Sequence, residues 1–257
     1  MSEAPQLPTR VSPIRAKAFG TRRGQRRPPQ EPVDGATWRE AVAALAARSA
    51  RPETVAAGAA SSALFDAWLR GEWMLVDRFD CGNLRVYLAG AARPGFAARL
   101  TALQRRVAEG IGRGQLLKQI ADELTVSIAA VCNTALRVEH ALGLENRVEL
   151  AAFFAPGGLS TQLAVHAVAG VRVLVGATRV RRPELWALLS FAEREIADLI
   201  VRGAHVDQIA VLRGTSTFTV DTQIASIYEK LGIGSRNELA IRVAGLAFAR
   251  EEARSRR

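Results

Sequence analysis

Residues 189–239 read LSFAEREIADLIVRGAHVDQIAVLRGTSTFTVDTQIASIYEKLGIGSRNEL, and the punctuation of this stretch decides the fold. Ser190 followed three residues later by Glu193 forms a capping-box pattern that opens a helix, and an acid in the first turn favours the positive end of the helix dipole. Ile196, Leu199 and Ile200 then recur at helical spacing. Gly203 closes that helix and Val206 to Ala210 opens the next. A short turn at Arg213-Gly214-Thr215-Ser216 leads into a third helix, with Ser216 as cap and Val220, Ile224, Ile227 and Leu231 on its inward face. Gly232 is expected to end it in the left-handed conformation that glycine adopts without a Cβ penalty, and Ser235 to Leu239 starts a fourth. Two helices joined by so short a turn keep a fixed angle, so the outer face of the third can enter a DNA major groove about 12 Å wide. The pattern is that of a helix-turn-helix.

Working outward, the 257-residue chain is 49% hydrophobic and 23% charged, the composition of a folded globular protein. Its net charge of +10 favours an anionic partner such as nucleic acid. The excess is carried by arginine, since the only lysines are Lys17, Lys118 and Lys230. Residues 1–34 read as a disordered basic arm: Arg10, Arg15, Lys17, Arg22, Arg23, Arg26 and Arg27 stand among prolines with almost no apolar periodicity. Cys81 and Cys132 are too few for a disulfide framework. With His140, His166 and His205 scattered along the chain, they offer no metal-ligand spacing. No paired carboxylates, nucleophile elbow or phosphate loop is present, so an enzyme is not expected and no cofactor is expected. The longest apolar run, Leu163 to Ala177, is shorter than a membrane span and is interrupted by His166 and Arg172. A cytoplasmic protein that does not engage membrane is the expectation.

The rest of the chain uses one device twice. Helical spacing runs from Thr37 to Ser49 and again from Pro52 to Leu69. The period then changes to that of strands at Trp73 to Phe79 and Leu84 to Ala89, which flank a turn at Asp80-Cys81-Gly82-Asn83 and form a β-hairpin. A second hairpin is expected from Thr161 to Val168 and Val171 to Ala177, around Ala169-Gly170. A proline-containing linker follows each hairpin, Arg93-Pro94-Gly95 or Arg181-Arg182-Pro183, and a helical segment of similar length comes next. The offset is about 89 residues throughout: Gly82 with Gly170, Leu100 with Leu189, Leu150 with Leu239. This indicates an internal duplication of hairpin plus helical domain.

The string AEREIADLIVRG, QIAVLRGTS and TVDTQIASIYEKLGIGSRNELA closely resembles the LuxR-type helix-turn-helix domain. That family carries a leading L-T-x-x-E, a central E-I-A, a T-V-K-x-H recognition segment and a closing K-L-G-V-x-x-R-x-E-L. A degenerate counterpart begins at Leu100-Thr101. It passes through Gln119-Ile120-Ala121 and Val126-Ser127, and closes at Leu142-Gly143-Leu144-Glu145-Asn146-Arg147-Val148-Glu149-Leu150. The expected architecture is therefore mainly α, with two four-helix helix-turn-helix domains, each preceded by a small β-hairpin. The segments are a disordered arm (1–34), a helical lead and hairpin (35–98), a degenerate LuxR-type domain (99–155), a second hairpin and linker (156–183), a LuxR-type domain (184–248) and a charged tail (249–257).

The resemblance implies a bacterial transcription regulator that binds double-stranded operator DNA. The family's pairing through the fourth helix gives either a homodimer or an internal pseudo-dimer, and a subunit of the transcription machinery is a further candidate partner. Candidate DNA contacts on the second recognition helix are Thr219, Asp221, Thr222, Gln223, Ser226 and Lys230. There Gln223 suits an adenine edge, Asp221 a cytosine amino group and Lys230 a phosphate. On the first they are Asn133, Thr134 and Arg137. The family's recognition lysine is replaced by Cys132 and by Asp221, and its histidine by Thr134 and by Gln223. Residues 100–150 carry six basic and six acidic groups and residues 189–240 five and seven, so the positive surplus lies outside both reading heads. These departures, with Leu136 on an outer face, keep open an alternative in which degenerate helix-turn-helix domains bind a protein. Sequence-independent coating of nucleic acid through the arm is a third reading.

Overall fold

The structure, a computed structural model, describes residues 39, 42, 55–93, 99–168 and 171–245. The basic arm, the charged tail, most of the helix expected over 37–49, Pro52, Pro94-Gly95 and the Ala169-Gly170 turn lie outside the described residues. Among those described, ten α-helices and one four-stranded antiparallel sheet make a mainly helical protein, and no helix is long and apolar enough to cross a membrane.

Helix α1 (Val55–Leu69) leads into β1 (Trp73–Cys81) and β2 (Leu84–Ala91), the first hairpin. Four helices follow: α2 (Ala102–Gly112), α3 (Leu117–Leu124), α4 (Ile128–Leu142) and α5 (Arg147–Phe153). After a 3-10 turn at Leu159–Thr161 come β3 (Leu163–Val168) and β4 (Val171–Arg179), the second hairpin. The short α6 (Pro183–Trp186) then precedes α7 (Phe191–Val201), α8 (Val206–Arg213), α9 (Thr217–Leu231) and α10 (Arg236–Gly245).

Both hairpins stand where the β-branched and aromatic runs place them. The sequence does not reveal that they fuse. The strand order is β1-β2-β4-β3, and β2 pairs with β4 from Leu84 opposite Arg179 to Gly90 opposite Val173. Each is the second strand of its hairpin, so the two hairpins meet through equivalent, antiparallel edges. The central strands are covered on both faces, which explains their nearly unbroken apolar character. Tyr87, Ala89 and Leu174 join the core shared with α1 and the first helical unit, while Val86, Leu88, Val175 and Ala177 pack with Val42 on the other side. Gly176, opposite Tyr87, has no room for a side chain, since a Cβ there would lie 2.7 Å from Leu159 and 2.5 Å from Leu163.

Around Phe153 at the end of α5 the first core is aromatic. The ring of Trp68 meets it edge-on at 5.3 Å and that of Tyr87 at 5.6 Å, arrangements that suit the ring quadrupoles. Ser61 fastens α1 to the second hairpin, donating to Ser160 O and accepting from Leu163 N, both at 2.8 Å. A second core of Ile196, Ile200, Ile209, Val220, Ile227 and Leu239 fills the unit formed by α7 to α10.

The two four-helix units have matching boundaries. Helices α2, α3 and α4 start and end 89 residues before α7, α8 and α9, and α5 starts 89 before α10. The fourth helices pack against each other through a seam of small side chains, Ala152 and Ala155 with Val148 on one side and Ala240 and Ala244 on the other. Helices at matching positions are thus in mutual contact, as are the second strands of the two hairpins.

Candidate nucleic-acid interface

The second unit is set by its caps. The Ser190 backbone N–H donates to Glu193 at 2.8 Å and the Glu193 N–H donates back to Ser190 Oγ at 3.4 Å, the reciprocal box expected from the sequence. Gly214, at φ 61°, makes the left-handed bend between α8 and α9. Ser216 Oγ then accepts from the N–H of Thr219 at 3.1 Å. Val220, Ile224, Ile227 and Leu231 are buried as their spacing requires. Gly232 ends α9 at φ 61°, and Arg242 from α10 reaches its carbonyl at 3.3 Å.

Glu193 does more than cap. Its carboxylate is 7% exposed and accepts from both Lys230 Nζ, at 2.7 Å to each oxygen, and Ser226 Oγ, at 2.8 Å. The ammonium of Lys230, helped by the Ser190 and Ser226 donors, holds the Glu193 carboxyl at a pKa of about 2. One carboxylate thus ties the start of α7 to the far half of α9 and fixes the crossing of the two helices. The sequence displays the capping half of this role. The other half needs the approach of α9, which only the fold supplies.

The sequence candidates on α9 therefore separate into groups. Thr219, Asp221 and Thr222 are exposed, and the Thr222 hydroxyl donates back to Phe218 O at 2.9 Å. Ser226 and Lys230 are turned toward Glu193, although Lys230 keeps 43% of its side chain in solvent. Gln223 is partly buried and its Oε1 is enclosed without a hydrogen-bond partner, so it sits lower on the helix face than Thr219, Asp221 and Thr222. Phe218, 79% exposed in the first turn of α9, and Val211, 81% exposed on α8, are surface residues that the core pattern did not flag.

In the first unit Thr101 and Gln104 form the same capping box, Ser127 caps α4, and Gly143 ends α4 at φ 72°. Thr125 stands where the second unit has Gly214 and is left-handed at φ 56°, the one non-glycine residue so placed among those described. Asn133, Leu136, Arg137 and His140 lie exposed on α4. Thr134 does not: it is 9% exposed, on the inner side of α4 beside Ala135 and Val138. Its assignment as a DNA contact is corrected, because the helical turn that exposes Asn133 and Arg137 carries position 134 inward. Arg78 from β1 clasps the end of this unit, donating to Gly143 O at 2.7 Å and to Glu149 at 3.0 Å, with Glu145 also paired. Burial pushes the Glu149 carboxyl up. Among the described residues no group of histidine, cysteine or acidic side chains has the arrangement of a metal site.

No curated protein and no solved structure matches the chain. The family model for bacterial regulatory proteins, luxR family, matches residues 187–243, the span of α7 to α9 and most of α10, and leaves the first unit unmatched. Residues 187–243 are a LuxR-family helix-turn-helix domain, of a family that binds DNA to regulate transcription.

Proposed function

We propose that this chain is a transcription regulator that binds operator DNA with two helix-turn-helix heads, the LuxR-family domain at 187–243 and a degenerate copy of it within 99–155. The carrying observation is the packing of α5 on α10 between units whose helix boundaries repeat at 89 residues. Helix-turn-helix dimers read two half-sites about one helical turn apart, and this chain holds an equivalent pair of units within itself. In this reading it acts as an internal pseudo-dimer in the bacterial cytoplasm. The basic arm, 1–34, adds sequence-independent phosphate affinity.

Selection of duplexes from a random library by the full chain tests the proposal. Enrichment of a defined sequence is expected, and removing residues up to Pro32 should weaken binding without changing that sequence, because phosphate contacts position while base contacts specify. Failure to enrich any sequence, or a changed preference without the arm, contradicts it.

A second reading has its own support. The exposed Val211 and Leu212 border a shallow groove of about 830 Å³ lined also by Glu145, Asn146, His205 and Asp207, and exposed apolar side chains rimmed by polar ones suit a protein partner. Duplex selection separates the two readings: a folded chain that binds no duplex and enriches no sequence favours the protein partner.

A further inference from the structure

The two heads do not present the same charge. On α4 the exposed line is Asn133, Leu136, Arg137 and His140, and at the equivalent positions of α9 stand Thr222, Ala225, Ser226 and Glu229. The single acid of α4, Glu139, is buried against Arg147 at 2.6 Å, so the one exposed charge on α4 is the cation Arg137. On α9 the one cation, Lys230, is held by Glu193, and the other exposed charges are Asp221 and Glu229. In the first turns of α3 and α8 Lys118 stands at the position of Asp207, but the exposed Asp122 and Glu123 later in α3 outweigh it, so the difference between the heads rests on Arg137.

We propose that the heads divide the work on duplex DNA. The first unit, the one the family model leaves unmatched, anchors to the phosphate backbone through Arg137, with Asn133 and His140 as further donors and Leu136 free to meet a thymine methyl. The second reads base edges through the neutral Thr219 and Thr222 and contributes little to phosphate affinity. Each phosphate neutralised by a basic side chain releases a counterion, and Arg137 is an exposed arginine for which no partner is found among the described residues. The assignment rests on the DNA-binding reading above and specifies which head supplies its electrostatic part.

The test uses the full chain and a labelled random-sequence duplex of about 30 base pairs, with affinity followed by anisotropy as salt is raised. Arg137→Ser, which installs the residue of the second unit, should weaken binding roughly five- to tenfold near 50 mM salt and lower the log-log salt slope by about one. Arg137→Lys should restore the slope. An unaltered slope in Arg137→Ser, with the wild type binding normally, overturns the division of labour alone. Absence of duplex binding by the wild type overturns the division and the DNA-binding reading together.

Discussion

Glu193 joins a cap, a hydroxyl and an ammonium in one place, and its pH behaviour follows from that. Its carboxyl sits near 2 in the folded chain against 4.5 for an unperturbed glutamate, so its contribution is complete above about 4.5 and is lost as pH falls toward 2. Glu193→Gln should destabilise the second unit at neutral pH by about 1–2 kcal/mol, the scale of a lost charge-assisted hydrogen bond. It should also flatten the stability profile between those two pH values, as measured by urea unfolding at a series of pH values. Thr125 offers the opposite experiment. A β-branched residue in the left-handed region is strained by about 1–2 kcal/mol, partly offset by the extra freedom glycine has when unfolded. Thr125→Gly should therefore raise stability by about 0.5–1 kcal/mol, and Gly214→Thr at the matching bend should lower it. Denaturant midpoints of the two variants check the pair.

Among the elements, those legible in the sequence carry local signals. The caps at Ser190 and Ser216, the left-handed Gly232 and the β-branched and aromatic runs of both hairpins are written in a few adjacent residues, and the structure has each in place. What stayed hidden depends on partners distant in the chain. The edge-to-edge union of β2 and β4, the inward turn of Thr134 and the engagement of Lys230 by Glu193 follow from tertiary contact, where a residue's helical face alone is ambiguous. The α5–α10 seam is the clearest case. Alanines at 152, 155, 240 and 244 look like generic helix formers in the sequence, yet they are buried between the two fourth helices. Enlarging Ala240, which is fully buried, should force the helices apart. Ala240→Leu is expected to cost about 1–3 kcal/mol, whereas Ala225→Leu on the exposed face of α9 should cost little. Thermal unfolding of both variants decides whether the seam is tightly packed.

At the scale of the whole molecule, two contacts join the four-helix units and their hairpins. The surfaces through which equivalent units associate, fourth helix on fourth helix and second strand on second strand, are both occupied within the chain. On the proposed DNA-binding reading a single chain presents α4 and α9 to one duplex, and because the two helices differ in sequence a preferred site with unlike halves is expected. Native mass spectrometry of the chain bound to a duplex obtained by selection tests this most directly. One chain per duplex on a non-palindromic site is the predicted result, and two chains on a palindromic site would contradict it.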